Sequence, residues 1–151
     1  PVFFHTGDTW SHKAKLKYAH PLLVDDVAVD HPDVKFIIAH FGNPWLIDAA
    51  EVVYKNDNVY ADLSGLIVGD NVVLREFLKL ENIHASYTSG VLLEDLEKAY
   101  FFAERPSRFL YTSDWPLAPM DGYRRFIEEI IPRDHHDAVF QDNARTLFGL
   151  P

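Results

Sequence analysis

The sequence predicts an α/β fold in which helices cover a parallel sheet. Four short apolar segments lack the polar alternation of half-exposed strands, which is typical of strands buried on both faces of a parallel sheet. Amphipathic segments with helical spacing lie between them, as in right-handed βαβ units. A chain of 151 residues has room for four such units, whereas a complete eight-stranded barrel takes about 250 residues. Two architectures remain open, a small open doubly wound sheet and half of a barrel.

The predicted strands are short and rich in Val, Ile, Phe and Tyr. They cover residues 2–4, 34–39, 59–63 and 109–111. A helix is predicted after the second strand, because Pro44 suits the first turn of a helix, where its missing N–H is harmless. The apolar face of this helix is formed by Trp45, Ala49, Val52 and Val53.

Two further helices are predicted nearer the C-terminus. One covers residues 91–103 and ends before Pro106, and its apolar positions are Leu92, Leu96, Ala99 and Ala103. The other begins at Asp134, a good N-cap residue, with Asp137 three positions later. Its apolar stripe consists of Phe140, Ala144, Leu147 and Phe148, and Gly149 stands just past its end.

Composition and charge exclude several classes of partner. Lys and Arg number 14 against 23 Asp and Glu, a net charge of -9, and no basic cluster exceeds the pair Arg124 and Arg125. Nucleic acids and anionic membranes require many neutralised charges, so we expect neither as a partner. No apolar run approaches the roughly 20 residues of a membrane span, and no signal segment is visible, so we expect a cytoplasmic protein.

Cysteine is absent, so any metal must be held by His and carboxylate side chains. The chain also begins with Pro1 directly before a predicted strand. Because an independent domain rarely starts inside its own core, we expect a truncated domain.

Polar side chains stand at the ends of all four predicted strands. They are His5, His40, Asp62 and Asp114, and the carboxyl ends of parallel strands form the ligand-binding edge of such folds. Singly, each residue has a structural interpretation as a hydrogen-bonded core histidine or a turn-forming aspartate. An ionised Asp62 inside an apolar strand is costly unless it is paired or hydrogen-bonded. Jointly, these residues favour a site for zinc or a related divalent ion.

The other histidines are not predicted to be ligands. They are His12, His20, His31, His84, His135 and His136. A Ser-His-Asp triad is also not favoured, because no Gly-x-Ser-x-Gly motif is present and Ser64 and Ser113 carry no nucleophile signature.

At these residues the sequence resembles the amidohydrolase superfamily, in the amidohydrolase-related branch that includes aminocarboxymuconate-semialdehyde decarboxylase. PVFFHTG at residues 1–7 looks like strand five of that family's barrel, and HPDVKFIIAHFG at 31–42 looks like strand six. NVYADLSG at 58–65 looks like strand seven, RFLYTSDWP at 108–116 like strand eight, and DNARTLFG at 142–149 like the closing helix. The resemblance implies the C-terminal half, strands five to eight with their helices, of a TIM (β/α)8 barrel of the metal-dependent hydrolase type. Residues 1–151 would then form a single, incomplete domain.

The resemblance also implies roles for the strand-end residues. His5 matches a metal ligand, and Asp114 matches a second ligand that also contacts the metal-bound water. His40 matches a histidine that is a second-metal ligand in some members and an acid or base in mononuclear ones. Asp62 has no catalytic counterpart, so we expect it to have a structural or supporting role. Members of the family carry a His-x-His pair on strand one, and this chain contains none.

We therefore expect a metal-dependent hydrolase of a small amide, ester or lactone, with zinc favoured as the divalent metal. Trp10 and Trp115, in loops after the first and fourth strands, are predicted substrate contacts. Three alternatives stay open. One is a non-oxidative decarboxylase of the same family, another is a non-catalytic half-barrel that needs the missing barrel half or a second copy as partner, and the third is a complete four-stranded binding domain. The half-barrel alternative assumes that the first and last strands both have unpaired edges.

Overall fold

The computed structural model describes residues 1–9, 11–66, 89–116, 118 and 120–151. In these ranges four parallel strands form one sheet in the order β1-β2-β3-β4. They are β1 (Val2–Phe4), β2 (Phe36–Ile38), β3 (Val59–Asp62) and β4 (Phe109–Leu110). The predicted parallel α/β sheet is confirmed. The last three strands are shorter than predicted because the chain turns early, as after β2, where a tight turn over Ala39–Gly42 follows at once.

Five α-helices lie in the described ranges. They are α1 (Leu22–Asp30), α2 (Leu46–Lys55), α3 (Ser89–Ala103), α4 (Met120–Ile130) and α5 (Asn143–Phe148). Helices α2 and α3 occupy predicted positions, whereas α1 and α4 were not predicted. Of the predicted apolar positions, Ala49, Val52, Val53, Leu96, Ala99 and Ala103 are buried, and Trp45 is half-buried. The side chain of Leu92 lies outside the described residues.

The two faces of the sheet are buried to different degrees. One face packs against the helices and forms the larger core, through Phe36, Ile38, Val59, Ala61 and Phe109. The opposite face carries a smaller cluster, formed by Ile37, Tyr60 and Leu110 with Ala144 and Leu147 packed against it. Phe3 is in register with Ile37 and remains 53% exposed. Among the described residues, helices therefore cover one face of the sheet fully and the other only in part.

The C-terminal helix departs from its prediction in two ways. The helical segment starts after Pro132 with a 3₁₀ turn over Arg133–His135, so Asp134 lies inside the first turn and not at the cap. A π-helical turn then covers Ala138–Asp142 and leads into α5. Because a π turn holds more residues than an α turn, it rotates the predicted stripe, and Phe148 ends 49% exposed. The predicted C-cap at Gly149 has the left-handed conformation, with a φ of 64°.

The same segment bonds the edge of β4 that faces away from β3. The Asn143 side chain donates from Nδ2 to the carbonyl oxygens of Phe109 and Pro106, both at 2.8 Å. The Tyr111 N–H donates to the carbonyl oxygen of Val139 at 3.0 Å. The expectation of an unpaired edge on the last strand is therefore wrong, because the chain's own C-terminal segment satisfies these groups.

In the described part of the chain, no helix combines the length and the apolar character that crossing a membrane requires.

Replacement of Asn143 by Ala should destabilise the fold. The variant leaves the carbonyl oxygens of Phe109 and Pro106 without their donor, and an unsatisfied buried polar group costs about 1–3 kcal/mol. We expect urea unfolding to show a loss of about 2 kcal/mol. Gln141→Ala, an exposed position in the same segment, is the control and should stay within about 0.5 kcal/mol of the parent. Equal stability of Asn143→Ala and Gln141→Ala would contradict this role.

Candidate functional site

Hydrogen bonds tie the carboxyl end of β1 to that of β2. The Thr6 hydroxyl donates to the Ala39 carbonyl oxygen at 2.6 Å, and the Asp8 N–H donates to the Asn43 carbonyl oxygen at 2.8 Å. Gly7 lies between them with a φ of 94°, and a Cβ there would come within 2.4 Å of the Asn43 oxygen. Only glycine fits this close approach. The loop that follows His5 is thereby fixed against the loop that follows His40.

His40 stands at the end of β2 in an unusual backbone conformation. His40, Phe41 and Gly42 have φ angles of 57°, 45° and 66°, and a left-handed non-glycine residue costs roughly 1–2 kcal/mol. The Phe41 side chain is fully buried and meets Phe109 edge to face at 5.0 Å. Burial of this ring offsets the strain and holds His40 at the mouth of the sheet.

Asp114, two positions beyond Thr112 in the loop after β4, shares this conformation, with a φ of 56°. Its Oδ2 atom lies 3.7 Å from His40 Nδ1. The His5 and His40 rings meet edge to face with centroids 5.2 Å apart. The structure therefore brings the three predicted site residues together, and they line one open pocket of about 440 Å³. Strained non-glycine residues cluster at functional sites, and two of these three are strained.

Asp62 is buried beneath this pocket, with 2% of its surface exposed. Its Oδ1 atom accepts from the His40 N–H at 3.1 Å, the Ser64 N–H at 2.8 Å and the Ser64 hydroxyl at 2.5 Å. Its Oδ2 atom accepts from the Thr112 hydroxyl at 2.5 Å. These bonds satisfy the condition under which a carboxylate in an apolar strand is tolerated. They also join the segments that follow β2, β3 and β4.

The turn after β3 is held from outside by α4. The buried Tyr123 hydroxyl donates to the Leu63 carbonyl oxygen at 2.6 Å and accepts from the Leu66 N–H at 3.1 Å. Burial raises the pKa of Tyr123 above its ordinary value, so the phenol stays a neutral donor. Between these two anchors lie Ser64, whose Oγ is 2.9 Å from His40 Nδ1, and Gly65. A Cβ at Gly65 would lie 2.4 Å from that same nitrogen.

The predicted tryptophan contacts have different outcomes. Trp115 lines the pocket and is 71% exposed, whereas Trp10 lies outside the described residues. A second pocket, of about 540 Å³, shares His5 and is lined also by Lys13, Lys15 and Tyr18. Basic side chains thus flank the site in a chain whose net charge is -9.

The other histidines in the described ranges make structural contacts or lie away from the pocket. His20 packs on Trp45 at 4.8 Å and lies 3.4 Å from Asp48. His135 and His136 contact the Tyr100 hydroxyl and the Ile131 carbonyl oxygen. His12 and His31 are exposed, and His84 lies outside the described residues.

Three residues of the site were not predicted as such, namely Ser64, Gly65 and Thr112. The Asp62-x-Ser64 spacing was a usable signal, because an aspartate often accepts from the N–H two residues later. Gly65 and Thr112 carry no comparable signal, since their role depends on contacts with His40, Asp62 and Asp114 from other strands.

The donor chemistry of the site fits part of a zinc shell. The His5 Nε2 atom lies 3.0 Å from the Asp8 carbonyl oxygen. Because a carbonyl only accepts, Nε2 carries the hydrogen and a neutral ring presents Nδ1 as ligand, an arrangement typical of metal-binding histidines. Within the described ranges, however, no group of three or more His, Asp or Glu side chains is arranged to hold an ion. These residues therefore fit as partial ligands only.

Replacement of Gly65 by Ala should displace the His40 ring. Gly149→Ala is a matched control, because Gly149 has nearly the same φ, 64°, with open space where its Cβ would stand. Both variants should lose about 1 kcal/mol of unfolding free energy from the left-handed backbone. Only Gly65→Ala should move the imidazole, as seen in a crystal structure or in the histidine NMR signals. An unmoved His40 ring in Gly65→Ala would show that the contact is not restrictive.

Comparison with solved structures places the fold among TIM-barrel proteins. An uncharacterised TIM-barrel protein from Bordetella bronchiseptica matches 99% of this chain at 20% identity, with a TM-score of 0.66, over 46% of its own length. An amidohydrolase from Burkholderia multivorans with bound zinc matches 87% of the chain at 19% identity (TM-score 0.57), over 49% of its length. Amidohydrolase 2 from Bifidobacterium longum subsp. infantis matches 87% at 17% identity (TM-score 0.54), over 47% of its length. The chain thus spans about half the length of these structures.

No curated protein matches the sequence. The sequence model of a family described as Amidohydrolase matches residues 1–150, which is almost the whole chain. The chain belongs to the amidohydrolase family.

Proposed function

We propose that this chain supplies strands five to eight of a barrel that acts as a metal-dependent hydrolase of a small amide, ester or lactone. Membership in the amidohydrolase family supports a hydrolase-type or lyase-like activity for the full-length protein. Fold similarity to TIM-barrel proteins over about half their length supports a partial barrel. The strands that complete the site would lie outside these 151 residues.

One observation carries the proposal. His5, His40 and Asp114 come from the ends of three parallel strands and line one pocket, at the edge where barrels of this kind hold their active sites. His40 and Asp114 also have left-handed backbone conformations. Such strain lowers stability and is found mainly at functional sites. Asp62 also lines this pocket, but both of its oxygens are occupied by hydrogen bonds, and Gly65 leaves room for the His40 ring.

The metal is the group that this site would hold. His5, through Nδ1, and Asp114 are the proposed ligands, and nitrogen and carboxylate oxygen are the ligand types that zinc takes in proteins. The zinc in the Burkholderia multivorans amidohydrolase supports the same choice of ion. When bound, a divalent ion lowers the pKa of a water molecule and polarises a substrate carbonyl.

The other steps, which are water activation, charge stabilisation and substrate contact, are assigned to residues of this chain. Asp114 orients the attacking water and takes up its proton. His40 acts as a general base or as an electrostatic partner of the oxygen on which negative charge develops. Trp115, exposed at the pocket, contacts the substrate, and we assign Trp10 the same role from its position in the sequence, a few residues after His5.

A decarboxylase of the same family is a second candidate, and one observation favours it. Lys13 and Lys15 line the pocket that shares His5, and two lysines beside the site would suit a substrate that carries a carboxylate. Product analysis separates the candidates, since hydrolysis consumes water and retains every carbon whereas decarboxylation releases carbon dioxide.

Alanine variants of the three site residues test the proposal in the full-length protein. His5→Ala and Asp114→Ala should lose the metal and the activity together, because each removes a ligand. His40→Ala should keep the metal and lose at least about a hundredfold in kcat. Metal content is measured by inductively coupled plasma mass spectrometry, and activity by steady-state kinetics.

His31→Ala is the control, since His31 is an exposed histidine that follows α1, and it should retain both metal and turnover. Unchanged turnover in all three site variants would reject the assignment of these residues.

A further inference from the structure

We propose that Asp62 and Ser64 are positioning residues that determine which nitrogen of the His40 ring carries the hydrogen. The inference rests on the proposed function, because it concerns the residue assigned there as general base. Three buried or partly buried groups, the Asp62 carboxylate, the Ser64 hydroxyl and the His40 ring, form a continuous hydrogen-bonded row.

The direction of each hydrogen bond follows from what each atom can do. Ser64 Oγ lies 2.5 Å from Asp62 Oδ1, and an ionised carboxylate only accepts, so the single hydroxyl hydrogen points to Asp62. Ser64 Oγ then offers only lone pairs to His40 Nδ1, which is 2.9 Å away. The Ser64 carbonyl oxygen, at 3.2 Å from Nδ1, is also an acceptor. Nδ1 must therefore be the donor.

A neutral imidazole has one donor and one acceptor nitrogen. With the hydrogen held on Nδ1, Nε2 is the atom that can take a proton from water or substrate. The Asp114 Oδ2 atom, at 3.7 Å from Nδ1, reinforces this form because it too can only accept. Asp62 thus selects the basic nitrogen of a ring that it does not itself touch.

The same carboxylate also fixes the backbone beneath that ring. Asp62 Oδ1 accepts from the His40 N–H at 3.1 Å, at the residue whose φ is 57°. Gly65 provides the space, because a Cβ there would press against Nδ1 and Cε1. Ring orientation and hydrogen position are therefore set by one hydrogen-bond network.

NMR of the full-length protein with ¹⁵N-labelled histidine tests the inference directly. At about pH 8.5, where ordinary imidazole is neutral, His40 should show its hydrogen on Nδ1. In Asp62→Ala the Ser64 hydroxyl loses its acceptor and becomes free to donate to Nδ1, so the Nε2-H form should appear. Asp62→Asn keeps an acceptor oxygen and should restore the Nδ1-H form. Thr112→Val, which leaves the Ser64 link intact, is the matched control and should retain it.

Kinetics of Ser64→Ala provide a second test that does not depend on the folding of Asp62→Ala. Loss of the hydroxyl leaves the ring with the carbonyl acceptor alone, so kcat should fall about tenfold. The KM should change by less than about twofold and the metal content should stay the same, because no ligand is removed. If Ser64 had only a structural role, Ser64→Ala would lower the stability of the fold without a selective fall in kcat at unchanged KM.

Two results would overturn the inference. They are a hydrogen on Nε2 of His40 in the unmodified protein, and a parental kcat in Ser64→Ala. The proposed function fails separately, through unchanged turnover in all three site variants. Full activity of His40→Ala alone, with the Nδ1-H form seen in the unmodified protein, would leave the hydrogen-bond assignment standing and remove only the base role of His40.

Discussion

The buried Asp62 carboxylate is the interaction on which the rest of the site depends. Its two oxygens accept four hydrogen bonds, from the segments that follow β2, β3 and β4. A carboxylate suits this position because both oxygens accept and neither donates. Without this carboxylate, the donors of His40, Ser64 and Thr112 would have no partner in a largely buried region. Each unsatisfied donor would lower the stability of the fold by about 1–3 kcal/mol. One side chain thus holds three strand ends in register for the chemistry above them.

The site combines strained backbone with contacts that compensate for it. His40 and Asp114 both adopt left-handed φ angles, a local cost that protein folds accept mainly where geometry serves a function. Burial of Phe41, the two hydrogen bonds of Tyr123 and the absence of a side chain at Gly65 hold this arrangement in place. The helical layer therefore serves the site as well as the core, since α4 anchors the turn that carries Ser64.

The sequence was informative where structure follows from local pattern. Apolar segments ending in His5, His40, Asp62 and Asp114 predicted both the parallel sheet and the shared edge, because parallel strands bring their carboxyl ends together. Helix α4 was not predicted, although its buried positions Tyr123, Phe126, Ile127 and Ile130 recur at helical spacing. The π turn and the left-handed residues could not be predicted, since they depend on packing against distant parts of the chain. The partners of Asp62 lie up to 50 residues away, beyond the reach of any local pattern.

The proposed metal site joins His5 and Asp114, with His40 beside them. Anomalous X-ray diffraction at the zinc edge, from crystals of the full-length protein, is the decisive measurement. We expect a single zinc peak about 2.0–2.2 Å from a His5 nitrogen and an Asp114 oxygen, with the hydrogen bonds of Asp62 intact below it. A zinc peak remote from both residues, or no stoichiometric zinc in an active protein, would contradict it.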